Sequence, residues 1–434
     1  MSIKTRRVLF YSLVILFIVV GTLVILNSRG LRLDIQNFGF VRTGGIYIGS
    51  EPARASIWLN GEEQKNKSGV LQRGTLLTNL LPDTYEIAVR QDGFWDWHKR
   101  INVTPGEVSV LDSVVLLAKS EPKNIKFGKF IDFDIVQGSL ALENNNGVTL
   151  NDTPTFGHEI VRITDGGSLL TQSKNTGNYY LTDKLDAQSG LNISLIFNNL
   201  KEDRLGLPGF VQLQGVDPIP NNEDQFYVST ENALYLLDID RLNLELITTA
   251  HEIAGYQPDG TLAWVANGLL YGFNPIFRNR TEPLDLAKFE LAGRNFTKIS
   301  KTDDGWLLLD KNGELNYISH ERRNVIANDI SGFETAAKNN RVAILSNEGE
   351  LWIYDLDTGE QFTGLGDEVD QFSWYTDTAH IIVLENGSIY FRDISMGTPV
   401  SSYELAKNAS KFIYAAEEKK IFYTDAEGLW SIAL

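Results

Sequence analysis

The chain begins with one uninterrupted apolar segment. Residues 8–26 read VLFYSLVILFIVVGTLVIL, about nineteen residues without a charge. As a helix that rises about 1.5 Å per residue, this segment would be about 28 Å long, close to the hydrocarbon thickness of a bilayer. No polar stripe interrupts it, which argues against a buried core helix. The pattern therefore predicts a transmembrane helix within residues 1–28.

The charges that flank this segment predict its orientation. Lys4, Arg6 and Arg7 precede it, and two further arginines follow it. By the positive-inside rule, the short N-terminal tail stays in the cytoplasm and the bulk of the chain is exported. A cleaved signal peptide is the main alternative, but it would have a shorter apolar core and a small-x-small cleavage site, which residues 26–29 do not supply. We therefore expect a retained single-pass anchor in the cell membrane.

Between residues 42 and 118 the hydrophobic pattern changes to a period of two. Five short stretches alternate apolar and polar residues, and they begin near Ile46, Ala55, Tyr85, Ile101 and Val108. Asn-Gly, Pro-Asp, Asp-Gly and Pro-Gly turns separate them. Such alternation predicts strands with one buried face. About five strands in about 75 residues predict a small β-sandwich.

Several phrases in this region match one known module in order and spacing. They are Ser50-Glu51-Pro52, A-x-I-x-L-N-G at 55–61, L-P-D-T-Y-E-I-A-V at 81–89, Asp92-Gly93-Phe94 and V-T-P-G-E at 103–107. In these motifs residues 42–118 resemble the PEGA domain, although Pro82-Asp83-Thr84 replaces the Pro-Gly that usually precedes the tyrosine. The resemblance implies a small immunoglobulin-like or carboxypeptidase-regulatory-type sandwich of an envelope protein, with a spacer or binding role and no catalytic residues.

Three tryptophans of this module are candidate ligand contacts. In a strand, Trp95 and Trp97 would lie on one face and Phe94 on the other, while Trp58 would lie opposite its apolar neighbours. Not all three tryptophans can then face the core, and an exposed pair could stack on sugar rings or on an apolar patch of a partner. We favour the alternative, packing against the linker or the next domain, because a small sandwich needs aromatic area for stability.

From residue 122 to 434 a short phrase recurs at intervals of about 35 to 46 residues. The clearest copies are residues 347–355 (NEGELWIYD), 385–393 (ENGSIYFRD) and 426–430 (AEGLW). Each follows an apolar strand and supplies a tight turn, as in one blade of a β-propeller. The repeat predicts seven or eight blades, because residues 168–205 and 250–290 are too irregular to count. The last unit lacks an outer strand, which we expect residues 122–128 to supply, closing the ring. The fold class is thus all-β behind a transmembrane helix.

Composition narrows the possible functions. The first 32 residues hold five of the 39 basic residues and none of the 56 acidic ones, which leaves the exported part with a net charge of about −22. So acidic a surface argues against nucleic acid and suits a soluble extracytoplasmic surface or a basic partner. Cysteine is absent, so the exported domains depend on hydrophobic cores rather than disulfides, and thiol catalysis and cysteine-ligated zinc are excluded.

No catalytic or metal-binding constellation stands out in the sequence. The five histidines are scattered, so we expect packed or surface residues rather than ligands. Asp-x-Asp pairs occur at Asp132/Asp134, Asp238/Asp240 and Asp355/Asp357. None continues into the glycine and glutamate of a calcium loop, so we expect turns there. Five tryptophans of the repeat are expected to pack between sheets, namely Trp264, Trp306, Trp352, Trp374 and Trp430. We predict no catalytic residue, metal or cofactor.

Three functions remain open. The first is a single-pass, membrane-anchored binding or scaffold protein of a bacterial cell envelope, whose propeller engages a protein or glycan outside the cytoplasm. The second is a propeller-fold hydrolase or lyase with carboxylates at the central channel, which clustered titratable groups with shifted pKa values would favour. The third is a structural spacer or sensor that reports to a membrane partner, since a seven-residue tail is too short for an output domain.

Overall fold

One long apolar helix precedes a chain that is otherwise mostly β. The structure, a computed structural model, describes residues 3–28, 30–34, 39–68, 73–186, 188–257, 260–319, 322–336, 340–395 and 401–434. Helix α1 (Ile3–Ser28) contains the segment Thr5–Leu26, whose 22 residues are long and apolar enough to cross a membrane. A signal sequence meets the same description, so this helix agrees with both interpretations. The prediction of a β-rich chain behind an apolar N-terminal helix is confirmed.

A short hairpin and a two-sheet sandwich follow the helix. The strands are β1 (Leu31–Asp34), β2 (Gly39–Arg42), β3 (Gly44–Glu51), β4 (Ser56–Leu59), β5 (Glu62–Gln64), β6 (Thr75–Leu80), β7 (Thr84–Arg90), β8 (Trp97–Asn102) and β9 (Val108–Val115). β1 pairs with β2, and the sandwich sheets have the orders β6-β3-β9 and β5-β4-β7-β8. β3 and β9 are parallel, and the other sandwich pairs are antiparallel. Alternate residues of both sheets, such as Ile46, Ile57, Val89 and Leu111, form one core and are at most 1% exposed.

In the described part of residues 123–434, the chain forms eight small antiparallel sheets, which we number in chain order. Sheet 1 contains β11 (Asp132–Val136), β12 (Ser139–Asn144), β13 (Gly147–Leu150) and β14 (Thr153–Pro154), and sheet 2 contains β15 (Glu159–Ile163), β16 (Leu169–Gln172), β17 (Tyr179–Thr182) and β18 (Gly190–Asn192). Sheet 3 contains β19 (Gly215–Ile219), β20 (Asn222–Ser229), β21 (Leu234–Asp238) and β22 (Asn243–Thr248). Sheet 4 contains β23 (Ile253–Tyr256), β24 (Leu262–Ala266), β25 (Leu269–Asn274), β26 (Asn279–Arg280) and β27 (Leu284–Asp285). Helix α2 (Ile193–Leu205) follows sheet 2, and the 3₁₀ helix Leu286–Phe289 follows sheet 4.

Sheets 5 to 8 continue the same pattern. Sheet 5 contains β28 (Phe296–Lys301), β29 (Gly305–Asp310), β30 (Leu315–Ser319) and β31 (Arg322–Ala327), and sheet 6 contains β32 (Ile330–Thr335), β33 (Arg341–Ser346), β34 (Leu351–Asp355) and β35 (Gln361–Phe362). Sheet 7 contains β36 (Val369–Trp374), β37 (His380–Glu385), β38 (Ser388–Asp393) and β39 (Ser401–Ala406). Sheet 8 contains β40 (Lys411–Ala415), β41 (Lys420–Thr424) and β42 (Gly428–Ala433), together with the early strand β10 (Lys123–Phe127). β10 pairs antiparallel with β42, so sheet 8 joins both ends of the repeat region, as the sequence predicts.

Buried side chains connect each sheet to the next. Among the described residues, one apolar cluster spans each successive pair, from sheets 1 and 2 through to sheets 7 and 8. A further cluster joins sheet 8 back to sheet 1, where Phe133 and Leu142 pack against Phe422 and Leu429. Because each sheet buries its apolar side chains against two neighbours, the series closes on itself as a propeller-like ring.

Candidate functional site

Inner strands of neighbouring sheets contact one another around the centre of the ring. β11 contacts β15, β23 contacts β28, β36 contacts β40, and β40 contacts β11. Polar side chains on these strands reach the backbone of the next sheet. Asp134 Oδ2 accepts a hydrogen bond from Ile163 N at 2.6 Å, and Lys298 Nζ donates one to Phe333 O at 2.6 Å. The inner strands are therefore joined by side-chain-to-backbone bonds rather than by a continuous sheet.

Charged residues of both signs occupy this centre. Burial raises the pKa of Asp134, Asp217 and Glu334 above the usual carboxyl range, because the ionised form loses hydration. The opposing attraction of Arg162 for Asp217, and of Lys298 for Glu334, is smaller. Desolvation likewise lowers the pKa of Lys298. The lining is thus neither small nor neutral, but its carboxylates belong to three different sheets. No group of three or more histidine, aspartate or glutamate side chains within the described ranges could hold a metal ion.

A buried polar cluster joins the sandwich to sheet 7. The side chains of Lys99 in β8 and Asp393 at the end of β38 are both 0% exposed, and Nζ lies 3.1 Å from Oδ1. Trp97 Nε1 donates to Asp393 Oδ2 at 2.5 Å. Lys99 Nζ also donates to Ser395 O at 2.7 Å and to Ser395 Oγ at 3.0 Å. Burial alone would raise the pKa of Asp393, but the charges of His380 and Lys99 and the hydrogen bonds from Ser395 and Trp97 hold it below its usual value.

Neighbouring contacts extend this junction over the outer strand β39. Ser401 Oγ donates to His98 O at 3.0 Å, and Tyr403 OH donates to Asp96 O at 3.2 Å. Leu117, which follows the sandwich, is 1% exposed and packs in the cluster between sheets 7 and 8. The sandwich is therefore attached to the ring by buried contacts as well as by the chain itself.

Trp97 is one of the three tryptophans that the sequence suggested as ligand contacts, and it packs against the ring of sheets, which is the alternative that we favour from the sequence. Its side chain is 0% exposed and its Nε1 is bonded to Asp393, so neither face of the ring is open to a ligand. The assumption of one continuous strand also fails, because β8 begins at Trp97 and residues 95–96 lie in no strand. Trp97 and Trp95 therefore do not share a face.

Trp95 and Trp58 remain partly accessible. Trp95 is 42% exposed, its ring lies 6.4 Å from that of Tyr403, and Lys119 Nζ lies 5.5 Å above it. Trp58 is half-buried with Arg90 Cζ 5.4 Å from its ring centre, and its Nε1 is buried without a partner among the described residues. Their role as ligand contacts stays a prediction.

The Asp-x-Asp pairs divide into two kinds. Asp238 and Asp355 end strands and accept backbone hydrogen bonds from residues two or three positions later, so the turn prediction is confirmed for both. Asp132 and Asp134 lie inside β11, so that prediction is wrong for the first pair. An aspartate is stable there because inner strands leave space for a side chain to cap the neighbouring sheet, as Asp134 caps Ile163.

The histidines include one fully buried residue, His380. Its Nδ1 lies 2.6 Å from Asp377 Oδ2, and its ring stacks on Phe391 with 4.8 Å between ring centres. This packed environment agrees with the sequence prediction for His380. His320 lies outside the described residues.

Sequence reasoning missed the buried pair of Lys99 and Asp393, although a signal was present. One face of β8 carries Trp97, Lys99 and Ile101, and all three side chains are at most 1% exposed. A lysine in the apolar phase of a strand requires a buried anion. Its partner is 294 positions away, and nothing in the local sequence identifies it.

No family model matches the chain, and no curated protein matches it. Three β-propeller proteins are among its structural neighbours. Sqt1 from Chaetomium thermophilum has a TM-score of 0.48 and 13% identity, over 73% of this chain and 100% of that one. BamB from Moraxella catarrhalis has a TM-score of 0.44 and 13% identity, over 72% of this chain and 99% of that one. An oligogalacturonate lyase in complex with manganese has a TM-score of 0.41 and 12% identity, over 73% and 98%. At these values the similarity does not extend to function.

Proposed function

We propose that the protein is a single-pass, membrane-anchored binding or scaffold protein of a bacterial cell envelope. In this proposal α1 is a retained anchor with a cytoplasmic N-terminus. Residues 42–118 are a PEGA-like spacer, and residues 122–434 are an eight-bladed β-propeller that engages an extracytoplasmic protein or glycan. Eight sheets, eight inter-sheet clusters and the pairing of β10 with β42 support the blade number.

The observation that carries the proposal is the buried junction between sandwich and ring. A ring on a free linker would rotate independently of the sandwich, whereas Lys99 and Asp393 can stay buried only in one relative orientation of the two units. Lys419 Nζ, 2.7 Å from Glu51 Oε1, adds a surface contact between the same two units. A ring fixed to its sandwich presents its surfaces in one orientation relative to that spacer, which suits a scaffold or binding protein.

Protease accessibility in spheroplasts tests the topology. A C-terminal epitope tag should be digested without lysis, while an N-terminal tag should stay protected and attached to the full-length protein. Changing Lys4, Arg6 and Arg7 to glutamine should reduce the fraction of molecules whose N-terminus is cytoplasmic, since the flanking basic residues set the orientation. A C-terminal tag that resists protease until the cells are lysed contradicts the export, and loss of the N-terminal tag during maturation contradicts the anchor.

A propeller-fold hydrolase or lyase is the second candidate, and one observation favours it. The raised pKa values of Asp134, Asp217 and Glu334 would keep a larger fraction of each protonated, as a general acid requires. Release of reducing ends or of unsaturated products from polysaccharides, lost in Asp217→Asn but kept in Asp240→Asn on the outer surface, would favour this function over the scaffold. No release from any polysaccharide by the intact protein would count against it.

A further inference from the structure

A cavity of about 340 Å³ lies between sheets 4 and 5. Its floor is apolar, since Leu270, Phe289 and Ile318 are each at most 6% exposed. Trp306 lines the same cavity and packs partly against the buried cluster beneath it. The volume falls at the low end of the roughly 300–1,000 Å³ typical of small-molecule sites.

Irregular features of the two sheets build this cavity. On one side, the 3₁₀ helix after sheet 4 is capped by Asp285, whose side chain accepts a hydrogen bond from Ala287 N at 2.9 Å, and this helix carries Phe289 into the floor. On the other side, Thr302 N donates to Gly305 O at 2.9 Å and closes the turn between β28 and β29. In repeat proteins, departures from the regular unit often mark the binding face.

Gly305 follows this turn as the first residue of β29. A Cβ on Gly305 would collide with Ile318 O, so only glycine lets β29 approach β30 this closely. Asp303 and Asp304 lie in the turn before it, exposed at the cavity edge. Thr302 also lines the cavity, and its Oγ1 is buried with no hydrogen-bond partner among the described residues.

We propose that this cavity binds a neutral saccharide unit of one or two rings. The apolar face of a sugar ring matches Trp306 and the apolar floor, and its hydroxyl groups match the carboxylates of Glu282, Asp303 and Asp304 at the edge. Three carboxylates against the single cation Lys301 disfavour an anionic ligand. The inference rests on the proposed binding role of the ring and names its ligand class.

The chief competitor for the same groups is a cationic side chain of a partner protein. A lysine or arginine could pair with the three carboxylates and contact Trp306. Such binding would weaken strongly with salt, because exposed charge pairs are screened. Binding of a neutral saccharide depends on hydrogen bonds and apolar contact, and it should change little between low and physiological salt.

The test uses the full chain in lipid nanodiscs free of glycolipid, because alkyl glycoside detergents would occupy the cavity. Calorimetric titration would use methyl glucoside, methyl galactoside, N-acetylglucosamine, maltose, cellobiose and chitobiose as probes. At least one should bind with a dissociation constant in the micromolar to millimolar range and with little salt dependence. Trp306→Ala should weaken that binding by about tenfold or more, and Trp306→Phe should weaken it less.

Two further variants separate the site from the fold. Asp304→Asn, at an exposed position that cannot disturb the core, should also reduce the affinity. Trp352→Ala, which alters a half-buried tryptophan of sheet 6 outside the cavity, should leave it unchanged. No binding of any of the six probes overturns the proposal, as does binding that is unchanged in both Trp306→Ala and Asp304→Asn. Salt-sensitive binding of arginine amide, titrated as the cationic competitor, without binding of any saccharide also overturns it. None of these results alters the protease accessibility that tests the anchored scaffold, so the two proposals fail separately.

Discussion

Removing the buried lysine of the junction should produce the largest stability loss of any single substitution considered for this protein. In Lys99→Met the stem is kept and the ammonium is lost, so Asp393 stays buried with hydrogen bonds from Trp97 Nε1 and Ser395 N, at 2.5 and 2.7 Å. Removing one member of a buried ion pair costs about 3–5 kcal/mol. Because two hydrogen bonds to Asp393 survive, we expect Lys99→Met to lower the free energy of unfolding by about 3 kcal/mol.

A double-variant cycle separates the ion pair from the rest of the cluster. Asp393→Asn keeps an acceptor for Trp97 or Ser395 but leaves the Lys99 ammonium with neutral partners only. Asp393→Asn by itself should therefore lower the free energy of unfolding by about 2–3 kcal/mol. Combining it with Lys99→Met removes both charges, so the double variant should lose less than the sum of the single losses by about 1–3 kcal/mol.

The pH dependence of the same variants gives a second measurement. The folded-state pKa of Asp393 is lowered, so its stabilising effect is complete above the unfolded-state value of about 3.9. That effect is lost as the pH falls through the lower folded-state pKa. Lys99→Met removes one cause of the lowering, so the junction should open at higher pH in the variant than in the wild type.

The assay is urea unfolding of the full chain in nanodiscs, followed by circular dichroism, together with limited proteolysis of residues 116–122 between sandwich and ring. The single variants should shift both readouts together. A Lys99→Met variant within about 0.5 kcal/mol of wild type would refute the buried pair, because that is the usual effect of a surface substitution. An additive cycle would show that Lys99 and Asp393 do not interact.

Three other substitutions test other parts of the structure. Asn198→Ala removes hydrogen bonds of 2.7, 2.8 and 3.1 Å that hold α2 and the loop after it, so it should cost about 1–3 kcal/mol and speed proteolysis of residues 206–212. A Cβ at Gly428 would collide with a carbonyl of β10, so Gly428→Ala should speed amide exchange in β10, whereas Gly332→Ala, which faces open space, should not. Burial raises the folded-state pKa of Asp217, so its charge destabilises the fold at neutral pH, and Asp217→Asn should raise the melting temperature at pH 7. This gain should shrink as the pH falls through the folded-state pKa towards about 4, and a pH-independent melting difference would contradict the assignment.

The sequence predicted the repeat because blades of one architecture reuse one local pattern. Turn glycines, such as Gly387 with a φ of 71°, recur between apolar strands, and this pattern needs no knowledge of distant contacts. Residues 168–205 and 250–290 looked irregular for a physical reason that the structure supplies. These two ranges end with α2 and with the 3₁₀ helix, and the inserted residues break the spacing of the next repeat.

The candidate sites were harder to predict because periodicity identifies faces and not partners. The alternation of residues along β8 indicates that Trp97 and Lys99 lie on its buried face. It does not identify their partner Asp393, which lies almost 300 residues away in the sequence. The cavity beside Trp306 was missed for a similar reason. Packing between sheets correctly describes one part of that side chain, while the cavity depends on a turn and a 3₁₀ helix from another sheet.

The position of Asp393 in the repeat explains why the sandwich docks on sheet 7. Asp238, Asp355 and Asp393 all end the third strand of their sheets, and each caps the following turn with one carboxylate oxygen. In sheets 3 and 6 the residue opposite on the second strand bonds the other oxygen, with Gln225 Nε2 at 2.9 Å and Arg341 Nε at 3.3 Å. In sheet 7 the opposite residue is a histidine, whose Nε2 lies 3.9 Å from Asp393 Oδ1, beyond hydrogen-bond distance. Asp393 Oδ2 instead accepts a hydrogen bond from Trp97 Nε1 of the sandwich, while Lys99 Nζ pairs with Oδ1, the oxygen that also caps the turn. One tryptophan and one lysine of the sandwich thus take the places that residues of the same sheet take in sheets 3 and 6.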